Sequence, residues 1–223
     1  MWPAGINFMI QLHYFPGNAS MTPHLLLEEL GTPFELKLVD RSANAHRSPE
    51  YLTLNPNGLI PVLVDGDLVL YETAAIVLHL VDTHAAAGLA PQIGTPERAL
   101  FYKWLVWLAA SLQSQMPMYF YSDRYVAAGN AAGAAQVKSA AETRIAGLID
   151  QIDAQLASHH GPWLLGESFS ALDPYAFMLC RWTRGMQRPA RTLAHVGPFL
   201  QRMLARPAVQ RVIEREGLPP PWV

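Results

Sequence analysis

Cysteine is all but missing from this chain. Cys180 is the single thiol in 223 residues, which excludes an intrachain disulfide and a cysteine-rich metal centre. No metal is expected, and so little cysteine suits a reducing, cytoplasmic setting. Charge is scarce as well: Lys, Arg, Asp and Glu make up 15% of the residues and sum to −2, so a nucleic-acid partner is not expected. The start, Met1-Trp2-Pro3-Ala4-Gly5, lacks the basic stretch of a secretory leader. Long apolar runs are few. Residues 104–122 are uncharged and about long enough to span a bilayer, but Ser111, Gln113, Ser114, Gln115 and Pro117 interrupt them. They read as a buried helix, with no membrane as partner. There is no internal repeat.

What is there is a core and an asymmetry. Hydrophobic residues are 51% of the chain, enough to exclude wholesale disorder. Residues 1–84 carry 3 basic and 9 acidic side chains and 6 alanines, whereas residues 85–223 carry 13 basic, 9 acidic and 24 alanines. The first part alternates strand-like and helix-like stretches; the second is alanine-rich and helical. Residues 85–95, which open with Ala85-Ala86-Ala87-Gly88-Leu89-Ala90-Pro91, read as the linker.

In the first part, residues 9–14 alternate as a strand does, and Phe15-Pro16-Gly17-Asn18 is turn chemistry. Ser20 or Thr22 then caps a helix that Gly31 stops. Residues 34–39 form a second strand, and Ser48-Pro49-Glu50 starts a short helix. Strands over 59–64 and 68–70 are joined by the hairpin signal Asp65-Gly66-Asp67, and residues 72–81 are helical. A strand–helix–strand crossover makes the first pair parallel and the tight hairpin makes the last antiparallel. The expected fold is a mixed four-stranded sheet flanked by helices.

In the second part, helices are expected over 97–115, 131–159 and 174–184. Phe169-Ser170-Ala171-Leu172-Asp173 reads as a capping box before the last of these, which is apolar on most sides and therefore central. Residues 181–215 hold eight arginines, read as solvated helix surface. Gly217-Leu218-Pro219-Pro220-Pro221 cannot be helical.

Four features together resemble a cytosolic, bacterial glutathione S-transferase. They are Tyr14-Phe15-Pro16-Gly17-Asn18-Ala19-Ser20 at a strand-to-helix turn, Asn55-Pro56-Asn57-Gly58-Leu59-Ile60-Pro61-Val62-Leu63, Tyr71-Glu72-Thr73-Ala74-Ala75-Ile76, and the capping box. The resemblance covers residues 9 to about 215. It implies an α/β thioredoxin-like domain over 9–84, a linker over 85–95 and an all-α domain over 96–223, with residues 1–8 an extension or the product of an upstream start codon. It also implies a homodimer, with glutathione as co-substrate.

The same resemblance assigns residues. Pro61 matches the family's cis proline, which would leave the Ile60 backbone facing the cleft and pairing with the cysteinyl part of glutathione as a short added strand, with Leu59 beside it. Thr73 would hold the γ-glutamyl carboxylate at a helix N-terminus, and Glu72 the neighbouring ammonium. His46 and Arg47 would meet the glycine carboxylate, with Lys37 a weaker competitor. Taken alone, these residues also fit a plain tight turn, an ordinary helix start and a solvated loop.

Glutathione must react as its thiolate, and a hydrogen bond plus a helix N-terminus can stabilise one. Ser20 stands at that position, and a serine there also fits a plain helix cap. Tyr14 and Asn18 are rivals. The Tyr14–Ser20 spacing resembles the bacterial beta class, but Ala19 stands where that class has cysteine, and Gln113-Ser114 where it tends to have His-Lys. A mixed disulfide at position 19 is therefore excluded. Trp107, Ser111, Gln115 and Tyr119 are spaced to line a pocket for a small hydrophobic electrophile, although helix packing or a dimer interface is the commoner reason for any one such residue. The rival functions are a glutathione-dependent disulfide or peroxide reductase, an isomerase or dehalogenase, and a non-enzymatic module such as the stringent-starvation type. The retained Ser20, Glu72 and Thr73 speak against the last.

Overall fold

The structure is a computed structural model that describes residues 9–223. The expected extension over 1–8 lies outside the described residues. The chain forms two compact units. The first runs to Ala87 and takes in Arg206–Pro219; the second is Gly88–Ala205 with Pro220–Val223.

In the first unit, β1 (Ile10–Tyr14) leads through α1 (Met21–Leu30) to β2 (Phe34–Leu38). A 3₁₀ turn, Ala45–Arg47, precedes α2 (Pro49–Leu54). The hairpin β3 (Val62–Asp65) and β4 (Leu68–Tyr71) runs into α3 (Thr73–Thr83). The sheet order is β2-β1-β3-β4, parallel between β1 and β2 and antiparallel elsewhere, the mixed sheet expected of a thioredoxin-like unit. Leu12 and Leu63 from the sheet, Leu25, Leu26 and Leu27 from α1, and Ile76 and Leu80 from α3 are shielded from solvent. Each such side chain contributes about 1.5–3 kcal/mol over leaving it exposed.

Register decides what the sheet can present. Tyr14 lies opposite Leu38, His13 opposite Val62, and Val62 opposite Tyr71. The carboxyl ends of β1, β2 and β4 and the amino end of β3 therefore share one edge of the sheet. Sequence segments about forty-five and sixty residues apart are brought to it.

The second unit is helical. α4 (Pro96–Trp107) starts at Thr95, whose hydroxyl accepts the Arg98 N–H at 3.2 Å. The expected unbroken helix over 97–115 is corrected: Leu108–Leu112 is a π turn and Gln113–Gln115 a 3₁₀ turn, before α5 (Met116–Phe120). Side chains reset the ladder there. The Ser114 hydroxyl donates to the Ala110 carbonyl at 2.6 Å, and the Tyr175 hydroxyl donates to Gln113. Pro117 has no N–H to continue the old register.

Then come α6 (Ala131–Ala157), α7 (Leu172–Trp182) and α8 (Val196–Leu204). α7 is buried from Leu172 to Arg181, central as its composition implied. Cys180 sits within it, and burial pushes its thiol up to about 12. Among the described residues no helix is long and apolar enough to cross a membrane.

The last helix, α9 (Pro207–Arg215), packs on α1. The helical region expected over 96–223 is therefore not one unit. Arg206 grips Glu29 through two bonds of 2.6 and 2.8 Å, and Arg211 and Arg215 each reach Glu28 at 2.5 Å. Arg215 also lies 4.7 Å from the Phe34 ring centre. Three of the eight arginines expected as solvated surface thus bind acids of the first unit's own helix. Burial alone would raise the Glu28 carboxyl; the two arginines outweigh it and hold it below the ordinary glutamate value.

Candidate functional site

Three segments meet at the sheet edge defined by the register: the loop after β1, the loop before β3, and the start of α3. The end of β1 and the loop after it carry the three thiolate candidates. Gly17 has φ +67, a conformation that a side chain would oppose. Its N–H donates to Glu216 Oε2 at 2.7 Å, and Glu216 Oε1 lies 2.8 Å from His24 Nδ1, both side chains closed to solvent.

Ser20 is fully buried. Its hydroxyl donates to the Phe15 carbonyl at 3.1 Å and accepts the Phe15 N–H at 3.2 Å, so it ties the loop to itself and makes no cap for α1. Asn18 is half-exposed. The Ala19 N–H donates to its Oδ1 at 2.6 Å, which fixes the oxygen end of the amide and leaves the NH₂ end to offer two donors. Tyr14 ends β1 half-buried, its ring edge-on to His24 with centroids 6.2 Å apart.

The second segment is braced from behind. Asn55 Nδ2 and the Tyr51 hydroxyl both donate to the Leu59 carbonyl, at 2.9 and 2.8 Å, and burial pushes the Tyr51 phenol well above its usual range. Ile60–Pro61 is cis, as the resemblance required. Gly58 has φ +60, and a Cβ there would lie 2.8 Å from the His46 carbonyl oxygen and 2.9 Å from Arg47 Nη1. Glycine at 58 thus lets the His46–Arg47 turn close on this loop. Arg47 is exposed and donates to the Asn57 carbonyl at 3.3 Å; His46 is half-buried beside it. Lys37 is paired with Glu35 at 2.5 Å. His13, on β1, is lowered from its ordinary value by burial and by Lys37, against a smaller pull from Glu35.

The third segment is strained. Glu72 has φ 71 and ψ 116, and Asn44 is the other non-glycine with positive φ among the described residues. Such a conformation costs of order 1–3 kcal/mol. It brings Thr73 to the first position of α3, 4% exposed, with no side chain capping the helix. Thr73 and Glu72 make no side-chain hydrogen bond to the other described residues. A buried hydroxyl and unclaimed N–H groups at the positive end of a helix dipole suit a carboxylate.

Four other helix starts are finished by side chains. Ser48 accepts the Tyr51 N–H at 3.2 Å, Thr95 serves α4, and Asn130 accepts the Gly133 N–H at 2.9 Å. At α8, Asp153 Oδ1 takes the N–H groups of His195 and Val196, both at 2.8 Å. The capping box is met in part. Asp173 reaches back to the Ser170 N–H at 2.7 Å, but the Ser170 hydroxyl meets the Leu172 N–H at 3.4 Å rather than the N–H of residue 173.

In the helical unit, the electrophile candidates no longer form one i+4 stripe, because the π turn and the 3₁₀ turn fall between them. Trp107 is edge-on to Trp104, with centroids 5.1 Å apart, and Ser111 lies within the π turn. Gln115 donates to the Ser114 hydroxyl at 3.2 Å. Tyr119 packs edge-on to Phe120 at 5.1 Å, under the Lys138 ammonium at 4.9 Å. All four are half-buried. Sequence reasoning missed Glu216 and His24. An acid near the chain's end carries no local signal that its partners are residues 17 and 24.

A four-stranded mixed sheet with a cis-proline loop and an uncapped α3, on a chain with a separate helical unit, defines a thioredoxin-like transferase architecture. Residues 9–82 match the family model described as Glutathione S-transferase, N-terminal domain. The chain is 32% identical over 209 residues to glutathione S-transferase GST-4.5 of Xanthomonas campestris pv. campestris, covering 94% of this chain and all of that one. Its fold matches a glutathione S-transferase from Xylella fastidiosa (TM-score 0.85, 29% identity, 94% of this chain and 100% of the other). It also matches a glutathione transferase homologue from Sulfitobacter, solved with bound glutathione (TM-score 0.84, 26% identity, 93% and 98%). The chain belongs to the glutathione S-transferase family of enzymes.

Proposed function

We propose that the enzyme binds glutathione along the shared sheet edge and activates its thiol for attack on an electrophilic carbon. The observation that carries this reading is the start of α3. It opens at that edge on a buried threonine without a side-chain cap, so its first N–H groups and dipole suit an anion, and the N-terminal end of α1 adds its dipole at the same edge. α3 takes the γ-glutamyl carboxylate on Thr73, with the exposed Glu72 beside the ammonium. The Ile60 peptide receives the cysteinyl backbone, and the His46–Arg47 turn faces the glycine end.

The thiol has an ordinary pKa of about 8.5. We assign its stabilisation to the Asn18 NH₂ group together with the N-terminal end of α1, because the Ser20 hydroxyl is committed to Phe15. The proton leaves to solvent. The sulfur then forms its bond to carbon as the electrophile's leaving group departs with its electron pair. The half-buried aromatic residues Trp107 and Tyr119 suit a flat, hydrophobic electrophile. Exposed Leu100, Tyr102 and Val106 on α4 suit a second copy of the chain.

Calorimetry with reduced glutathione tests the site. Thr73→Ala should weaken binding about tenfold, the worth of a hydrogen bond to a charged group. Asn18→Ala should lower kcat several-fold with little change in KM. No heat of binding in the wild type would overturn the reading, and a kcat loss in Ser20→Ala without one in Asn18→Ala would move the donor to Ser20.

A further inference from the structure

The mechanism leaves one buried ionisable cluster unused, and it stands directly behind the thiolate loop. We propose that Glu216 is a positioning residue for glutathione activation: from the far end of the chain it sets the backbone of Gly17 and so aims the Asn18 amide next to it. This rests on the glutathione reading above.

The geometry is specific. One carboxylate oxygen accepts the Gly17 N–H at 2.7 Å and the other meets His24 Nδ1 at 2.8 Å. The His24 and Glu216 side chains are both shut off from solvent. A hydrogen bond to a charged acceptor is among the stronger ones a protein makes, and burial keeps water from replacing it. It acts on a residue in the left-handed region, so it selects one conformation of a turn that glycine alone would leave free. From Gly17 the constraint passes along the backbone: the Asn18 N–H donates to the Phe15 carbonyl at 3.1 Å, and the Met21 N–H to the Asn18 carbonyl at 2.9 Å. The backbone of residue 18, from which the side-chain amide projects, is thus pinned on both sides.

His24 holds the other oxygen. Its ring lies edge-on to Tyr14 and to Phe34, with centroids 6.2 and 5.6 Å away, and it sits in α1 itself, so Glu216 links loop and helix. The docking of α9 brings the carboxylate in. The Arg206–Glu29 and Arg211–Glu28–Arg215 pairs fasten α9 to α1 without touching the loop. That separation lets docking and positioning be told apart.

The test uses the full chain. The thiolate absorbance of bound glutathione is titrated against pH, and kcat and KM are measured with a chlorodinitrobenzene probe, for wild type, Glu216→Gln, Glu216→Ala and His79→Ala. His79→Ala removes a pair with Asp65 elsewhere in the first unit and controls for lost stability. Glu216→Ala should raise the apparent pKa of the bound thiol by about one unit and lower kcat about tenfold, with KM for glutathione within about threefold. Glu216→Gln keeps an acceptor for the Gly17 N–H and should fall between, and it carries the test if the alanine variant does not fold. His79→Ala should lower the melting temperature and leave the titration in place. A wild-type titration in a folded Glu216 variant overturns the positioning role, as does a Glu216 effect no larger than that of His79→Ala. Absence of glutathione binding by the wild type overturns this inference together with the reading beneath it.

Discussion

Two buried serines, one before α1 and one before α7, look alike in the sequence and do opposite things. Ser170 works with Asp173. That carboxylate takes the Ser170 N–H at 2.7 Å, the Ser170 hydroxyl at 3.3 Å and the Leu164 N–H at 2.8 Å, all buried. The start of α7 is finished, neutralised and closed. Ser20 turns its hydroxyl to the Phe15 peptide and leaves the start of α1 without a cap. The lesson lies in the difference. At α7 two side chains are spent on closing the helix start itself. At α1 the Met21 N–H goes to the Asn18 carbonyl instead, and the serine is spent on the shape of the loop.

The largest effect should come from breaking the closed end. Asp173→Ala strands buried N–H groups and should cost roughly 3–5 kcal/mol in denaturant unfolding. Ser20→Ala, which removes a hydroxyl from a loop, should cost roughly 1–2 kcal/mol. Equal costs would erase the distinction.

A change at the open end of α3 should have the reverse sign for stability. Glu72→Gly relieves a positive φ and should raise unfolding free energy by about 1 kcal/mol while weakening glutathione binding. A variant both less stable and unimpaired in binding would contradict it.

The smallest effect concerns the α9 clamp. The Glu28 carboxyl is held below its ordinary value of about 4.5 by Arg211 and Arg215. A carboxyl with a depressed native pKa contributes stability above its unfolded value and loses it as pH falls through the native one. Amide protection factors along α9 should therefore fall as pH drops below about 4.5, and Glu28→Gln should remove that dependence. Protection factors that stay constant with acidification would show the clamp contributes nothing.

Much of this was legible beforehand, for a physical reason. Turn, cap and hairpin signals are local: Ser48-Pro49, Asp65-Gly66-Asp67 and Ile60-Pro61 act within a few residues, and the sheet order comes from crossover rules once the elements are known. What stayed hidden depends on distance or on rotamer. Glu216 meets partners 192 and 199 residues away. Ser20 at a helix start reads as a cap or a sulfur ligand, and only its χ1 sends the hydroxyl to Phe15. The π turn in Leu108–Leu112 is followed by a residue, Gln113, whose side chain meets Tyr175 from another helix, a contact that no periodicity in 97–115 encodes.

The segment Arg206–Pro219 has a consequence for synthesis. The sheet of the first unit is made first, yet His24, Glu28 and Glu29 wait for partners made almost two hundred residues later. The second unit makes a return of its own, from Pro220–Val223. A chain halted before residue 206 holds a thioredoxin-like sheet with three ionisable side chains of its first helix unanswered. Arg206–Pro219 therefore closes the first unit only after residues 88–205 have been made.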